Sequence, residues 1–269
     1  MAIKNILILG YGRMGQWFAQ QLADEYHIAV LEKNFINNDS SSNILFIEHS
    51  KDIYSYNPDL IINAVNLNST LDAFNSITDH LPESAILSDI TSVKNGIKAY
   101  YQNKNFRFVS THPMFGPTFG NMSDLKNENA IIIEESDEEG KQFFEKFYLN
   151  HNITTHFTSF EAHDERMAES LSLPFLTALS FMFNTERTKT PGTTYQKQMD
   201  ISEKLLSEDI HLLTEILMNR HSLKKIEDIK YFVNSLYKII ETKNYNELKR
   251  IMEKLKENQT PTEVINKLL

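Results

Sequence analysis

Gly10-Tyr11-Gly12-Arg13-Met14-Gly15 stands directly after an apolar run at residues 6–9 and opens a stretch in which Met14, Trp17, Phe18 and Leu22 fall near helical spacing. A G-x-G-x-x-G string is a weak signal alone, but between a strand and a helix it constrains the fold strongly. Gly10 permits a tight turn, Gly12 lets the backbone approach a pyrophosphate, and Gly15 lets the helix pack close to the strand. The helix start then offers unpaired N–H groups and a partial positive charge to phosphates. Gly10, Tyr11, Gly12, Arg13, Met14 and Gly15 are therefore the candidate contacts to a dinucleotide.

The alternation continues along the first half of the chain. Apolar runs at residues 6–9, 28–31, 44–47, 60–65, 85–90, 106–110 and 130–133 are separated by helical stretches. Continuous apolar strands joined through helices imply a parallel sheet covered on both faces. From about residue 160 the texture is helical only, with Leu223, Ile226, Ile229, Phe232, Val233, Leu236 and Ile240 on one helix face and Leu248, Ile251, Met252 and Leu255 on another. The expected architecture is α/β: an N-terminal Rossmann-type doubly wound sheet at residues 1–158 binding a dinucleotide, then an all-helical domain at 159–269 that binds substrate and dimerises. The stripes at 223–240 and 248–255 exceed what a small helical domain can bury alone, which predicts a homodimer.

Glu32 follows the second strand, about twenty residues beyond the glycines, where a carboxylate accepts hydrogen bonds from ribose hydroxyls and repels a 2′-phosphate. NAD is thus the expected cofactor, although Lys33 beside it could turn inward toward a phosphate. A formal net charge of -9 argues against a nucleic-acid or anionic-membrane partner. The chain has no cysteine, which excludes disulfides, thiolate metal sites and a Cys nucleophile and fits the cytoplasm. No metal site is expected. No signal-peptide pattern precedes the first strand, and no apolar run approaches membrane-spanning length.

Four further segments carry a resemblance. They are Ser88-Asp89-Ile90-Thr91-Ser92-Val93-Lys94, Thr111-His112-Pro113-Met114-Phe115-Gly116-Pro117, Glu161-Ala162-His163-Asp164, and the stretch from Pro191-Gly192-Thr193-Thr194 through Ser207-Glu208-Asp209 to Glu215-Ile216-Leu217. With the glycine loop, their D-x-x-S-V-K, H-P-M-F-G-P and E-x-H-D patterns resemble the prephenate dehydrogenase family over residues 4–220. Residues 221–269 have no counterpart in that resemblance. It implies NAD-dependent oxidative decarboxylation of prephenate to 4-hydroxyphenylpyruvate in tyrosine biosynthesis. The alternatives are arogenate, which carries an amine in place of the side-chain ketone, and an NAD-binding regulatory protein without turnover. Other two-domain dehydrogenases would be expected to offer a catalytic Lys or to lack the H-P-M-F-G-P turn.

In the implied reaction, hydride leaves the carbinol carbon of a cyclohexadienol, and loss of carbon dioxide then makes the ring aromatic. The protein must hold the carbinol, accept its hydroxyl proton and anchor an anionic side chain. His112, at a strand end, is the candidate proton acceptor, since a neutral imidazole of ordinary pKa about 6.5 can accept from an alcohol; the resemblance implies the same role, and the competing reading is a loop cap. The resemblance makes Ser92 a partner of the substrate hydroxyl or of His112; a helix N-cap is the alternative. Lys94 either approaches cofactor or substrate or is a solvated first-turn charge, and His163-Asp164 is read as interdomain support. Two positions depart from the family. Leu173-Pro174-Phe175 stands where many members have Leu-Pro-His. Lys204, with Lys197 two turns earlier, stands where many have an Arg that pairs with a substrate carboxylate. Lys197 and Lys204 are the candidate substrate anchors, as point charges rather than bidentate forks, or else solvated helix charges.

Overall fold

The computed structural model describes residues 3–33, 43–116 and 125–257; Pro117, the last residue of the H-P-M-F-G-P segment, lies outside them. The chain divides into two compact units, Met1–Asn219 and Arg220–Leu269. In the first, the described residues form one eight-stranded sheet. Its strands are β1 (Asn5–Leu9), β2 (His27–Leu31), β3 (Ile44–Ile47), β4 (Leu60–Asn63), β5 (Ile86–Asp89), β6 (Arg107–Pro113), β7 (Asn129–Ile133) and β8 (Thr154–Thr158). The spatial order is β3-β2-β1-β4-β5-β6-β7-β8. The first six strands follow the doubly wound dinucleotide-binding order, whose direction of winding reverses between β1 and β4.

The strands read as unbroken apolar runs because both faces are covered. Ile6 and Ile8 point into one core with Trp17, Phe18, Phe144 and Tyr148, from α1 (Arg13–Leu22) and α5 (Glu138–Asn150). Leu7 and Leu9 point the other way, with Ile53 of α2 (Ile53–Tyr56), Phe74 of α3 (Thr70–Asn75), and Ile97 and Tyr101 of α4 (Ile97–Lys104). The period of two along each strand divides the apolar side chains between the two layers.

The sheet departs from the all-parallel expectation at β6. Residues 107–110 pair parallel with β5, whereas residues 111–113 pair antiparallel with β7. The reversal is held where the Met114 N–H donates to the Asn129 carbonyl at 2.8 Å. β6 thereby runs past the end of β5 and carries His112 beyond the carboxyl edge of the parallel sheet, where open α/β sheets bind ligands.

After β8 the first unit is helical: α6 (Phe160–Met167), a π turn at Ala168–Ser172, α7 (Leu173–Phe183), α8 (Thr193–Leu206) and α9 (Ile210–Leu217). The helical texture expected from about residue 160 begins with α6, although the compact units divide at Asn219 rather than at residue 158. Asp209 caps α9 by accepting from the His211 and Leu212 amides, which separates it from α8. The second unit contains α10 (Ser222–Glu241) and α11 (Tyr245–Lys256), the helices anticipated from the two apolar stripes. Among the described residues no helix is long and apolar enough to cross a membrane.

Candidate active site

The glycine loop does locally what its residues predict. Gly10 sits at φ +85°, and a Cβ there would meet Val65 Cγ1 at 2.9 Å. A Cβ on Gly15 would collide with the Gly10 carbonyl oxygen, so the helix approaches the strand only as glycine. Gly12 differs, because a Cβ there meets nothing within 4 Å and projects into open space. Gly12 also lines a cleft of about 420 Å³ with Gly10, Glu32, Lys33, Val65 and Asp72. The Tyr11 amide donates to Glu32 Oε2 at 2.8 Å and fixes that carboxylate at the cleft. A turn closed by glycine, a helix start without a side-chain cap and an acidic group at the end of β2 fit the adenosine and pyrophosphate of a nicotinamide dinucleotide. Two substitutions separate fold from binding. Gly15→Ala is expected to lower the melting temperature and lose dinucleotide binding. Gly12→Ala should keep the melting temperature and weaken binding, as read by dinucleotide titration with thermal unfolding.

A second cavity, of about 450 Å³, lies at the carboxyl edge of the sheet in the size range of small-molecule sites. Met14 of the glycine loop reaches it, and Ser92, His112, Glu128, Phe175 and Glu208 are among its other lining residues. The π turn brings Ser170 and Leu171 to the same wall, as such turns often do at functional sites. Phe115 anchors the loop after His112, its ring edge-on to Trp17 of α1 at 5.4 Å.

His112 is 5% exposed, and its Nδ1 lies 3.1 Å from Nε2 of His163, which is wholly buried. Burial, with the neighbouring His163 and the Lys94 ammonium, holds His112 well below the ordinary imidazole range, so it is neutral at physiological pH. Ser92 is half-buried at the same cavity. Its reading as a helix cap is not met: α4 begins only at Ile97, with Gly96 at φ 74° before it. The hydroxyl that does bond locally is Thr91, whose Oγ1 donates to Asp89 Oδ2 at 2.7 Å.

Lys94 is not a solvated first-turn charge, and it lines neither the glycine-loop cleft nor this cavity. It is 3% exposed. Its Nζ donates to Asp89 Oδ2 at 2.6 Å and to the Thr111 carbonyl at 2.8 Å, one residue before His112. The Tyr101 hydroxyl donates to the other Asp89 oxygen at 3.0 Å. Burial alone would raise the Asp89 carboxyl, but the Lys94 ammonium and these hydrogen bonds hold it below its usual value. Burial pulls the Lys94 ammonium down against the attraction of Asp89. Lys94 thus joins the turn after β5 to the end of β6, placing Ser92 and His112 on one cavity.

The structure does not bring Lys197 and Lys204 to this cavity. Both are exposed on α8, whose contribution to the wall is Leu205, followed by Glu208. Phe175 packs with Val93 and Ile216 in a small apolar core, so the third residue of Leu173-Pro174-Phe175 offers the cavity an aromatic surface. Sequence reasoning missed Glu128, which lies in no motif, the place of Glu208 at the cavity, and the approach of His163 to His112 across fifty-one residues. Among the described residues no group of three His, Asp or Glu side chains is placed to hold a metal ion.

A doubly wound sheet with a glycine loop, and a cavity at its carboxyl edge holding a buried neutral His, define the architecture of a dinucleotide-dependent dehydrogenase. Residues 41–148 match the family model of the prephenate dehydrogenase nucleotide-binding domain. The chain is 24% identical over 247 residues to arogenate dehydrogenase 2, chloroplastic, of Arabidopsis thaliana, covering 87% of this chain and 69% of that protein. It is 23% identical over 252 residues to a probable arogenate/prephenate dehydrogenase of Methanocaldococcus jannaschii, covering 87% of this chain and 55% of that one. Among solved structures, prephenate dehydrogenase from A. aeolicus, in complex with hydroxyphenyl propionate and NAD+, shares the fold with a TM-score of 0.78 at 19% identity, over 96% of this chain and 98% of that chain. The chain is thus similar to the prephenate dehydrogenase nucleotide-binding domain over residues 41–148 and, over most of its length, to arogenate and prephenate dehydrogenases.

Proposed function

We propose that this chain is an NAD-dependent dehydrogenase that converts prephenate to 4-hydroxyphenylpyruvate on the route to tyrosine. The observation that carries this reading is a neutral His112 lining, with Ser92, a cavity that the glycine loop also reaches through Met14. A bound nicotinamide dinucleotide supplies the hydride acceptor. His112 accepts the proton of the substrate hydroxyl as the carbinol carbon loses hydride, and Ser92 hydrogen-bonds the same hydroxyl. The electron pair of the breaking carbon–carboxylate bond enters the ring as carbon dioxide leaves, so aromatisation drives that step and no side chain has to promote it. The apolar wall of Phe175, Leu171 and Leu212 keeps water from the ring.

One observation favours arogenate as a second reading. The described lining holds the carboxylates Glu128 and Glu208 and no Lys or Arg. An ammonium on the substrate side chain matches that charge better than a ketone does. Following NADH formation with prephenate and with arogenate under identical conditions tests both readings. Turnover of prephenate supports the first, a higher kcat/KM with arogenate selects the second, and dinucleotide binding without NADH from either means a protein without turnover.

NAD rather than NADP is part of this proposal, since Glu32 and Asp72 outnumber Lys33 at the cleft and oppose a 2′-phosphate. Glu32→Ser is expected to erode the preference, read as the ratio of kcat/KM for the two cofactors. Equal or better activity of the unmodified protein with NADP would overturn it. A homodimer through the helical region is proposed on the same footing. Leu223, Val233, Tyr237 and Ile240 of α10 and Met252 and Leu255 of α11 are exposed apolar side chains. Light scattering at micromolar concentration should return twice the chain mass, and a monomer mass would count against the dimer.

A further inference from the structure

Two imidazoles and a carboxylate stand in line behind the cavity. His112 Nδ1 lies 3.1 Å from His163 Nε2, and His163 Nδ1 lies 3.0 Å from Asp164 Oδ1. Asp164 is itself held from two directions. Its Oδ1 accepts the Lys94 amide at 3.3 Å, and its carbonyl accepts from Asn219 Nδ2 at 2.8 Å. His163 is wholly buried, and its ring stands edge-on to that of His112.

The hydrogens in this line can be placed by elimination. An ionised carboxylate only accepts, so the His163 nitrogen facing Asp164 carries the hydrogen. A neutral imidazole has a single N–H, which leaves His163 Nε2 a bare acceptor. The hydrogen between the two rings must then belong to His112 Nδ1. The remaining nitrogen, His112 Nε2, keeps its lone pair. We propose that His163 and Asp164 are positioning residues that hold His112 in its Nδ1–H tautomer and so keep Nε2 as the acceptor for the substrate proton. The identity of that proton rests on the dehydrogenase reading above, whereas the tautomer does not.

The line works only while both rings are neutral. Burial lowers both imidazoles, and the Lys94 ammonium beside them acts in the same direction; Asp164 and Asp89 pull His163 the other way without overcoming burial. A proton gained by His163 would fill Nε2, reverse the bond to His112 and push the His112 hydrogen onto the nitrogen that must accept. Protonating His163 would therefore disable His112 without charging it, so the acid limb of turnover depends on both rings. The charged groups that bear on this switch are Asp89 at the end of β5, Lys94 before α4 and Asp164 on α6.

Nitrogen-15 NMR of the imidazoles in the unmodified protein reads the tautomer directly, with the His112 signals identified by their loss in His112→Asn. A protonated Nδ1 and a bare Nε2 on His112 are expected. A His112 that carries its hydrogen on Nε2 at neutral pH would overturn the proposal, whatever the substrate proves to be. Kinetics supply the second readout. Asp164→Asn and His163→Leu should lower kcat by about 10-fold or more, toward the roughly 10²–10⁴-fold that a general base contributes, with KM little changed. His163→Gln, whose amide oxygen can stand near the lost Nε2, should recover much of that rate and shift the acid limb. Unchanged kcat in a folded His163→Leu protein would equally overturn the role. Failure of the dehydrogenase reading is distinguishable, since it would remove NADH formation from the unmodified protein and leave the tautomer in place.

Discussion

His112→Asn should fold, bind the dinucleotide nearly as tightly as the unmodified protein, and lose most of its turnover. A proton acceptor acts chiefly in the transition state, so its loss falls on kcat rather than on KM. The expected drop is roughly 10²–10⁴-fold. Asn is polar and of similar reach, and its side chain can still meet His163, so packing damage is small. The pH dependence follows from burial. His112 has a folded pKa below its unfolded value of about 6.5, so it stays neutral below the ordinary imidazole range and the acid limb of turnover lies at lower pH than for a solvated His. The same shift bears on stability. The unfolded chain binds the extra protons, so the contribution of His112 and His163 is complete above about pH 6.5 and is lost as pH falls from there toward the depressed folded values. Steady-state rates across pH, with parallel unfolding curves, check both. A variant with near-normal kcat and an unchanged acid limb would leave His112 a loop-shaping residue only.

Lys94→Ala is expected to cost about 3–5 kcal/mol of stability, the usual consequence of removing one partner from a buried ion pair. It strands the Asp89 carboxylate, which is 0% exposed, and takes the 2.8 Å donor from the Thr111 carbonyl. Solvent does not screen this pair, so no reduction for exposure applies. Replacing both charges, as in Asp89→Asn with Lys94→Met, should recover part of the loss, because no lone charge remains buried. Urea unfolding of the three proteins decides the point. A Lys94→Ala protein within about 1 kcal/mol of the unmodified one, the range of exposed pairs, would show that the pair contributes little.

Much of this arrangement is legible in the residues. Gly10, Gly12 and Gly15 are spaced for a turn between a strand and a helix, and the structure leaves no room for a Cβ at Gly10 or Gly15 while Gly12 opens on the cleft. His112 could be put at a strand end because the apolar run before it stops there. Strand β8 escapes the same reasoning. Thr154-Thr155-His156-Phe157-Thr158 forms an edge strand with little buried surface, so no apolar run announces it. Lys94 is ambiguous in sequence for a different reason. A Lys in a D-x-x-S-V-K turn looks solvated until β6 is known to run past β5 and offer the Thr111 carbonyl. Lys197 and Lys204 show the limit of counting along a helix, since spacing fixes which residues share a face of α8 but not which way that face points. His163-Asp164 reads in sequence as interdomain support, and only the fold brings His163 against His112.

In the proposed reaction His112 takes the proton while a nicotinamide dinucleotide takes hydride from a cyclohexadienol that then loses its carboxylate. A single-turnover experiment with excess NAD and limiting prephenate or arogenate, following NADH and carbon dioxide together, tests it most directly. One equivalent of each per substrate is expected in the unmodified protein, with both slowed alike in His112→Asn. Carbon dioxide without NADH, or neither product from either substrate while NAD binds, would contradict it.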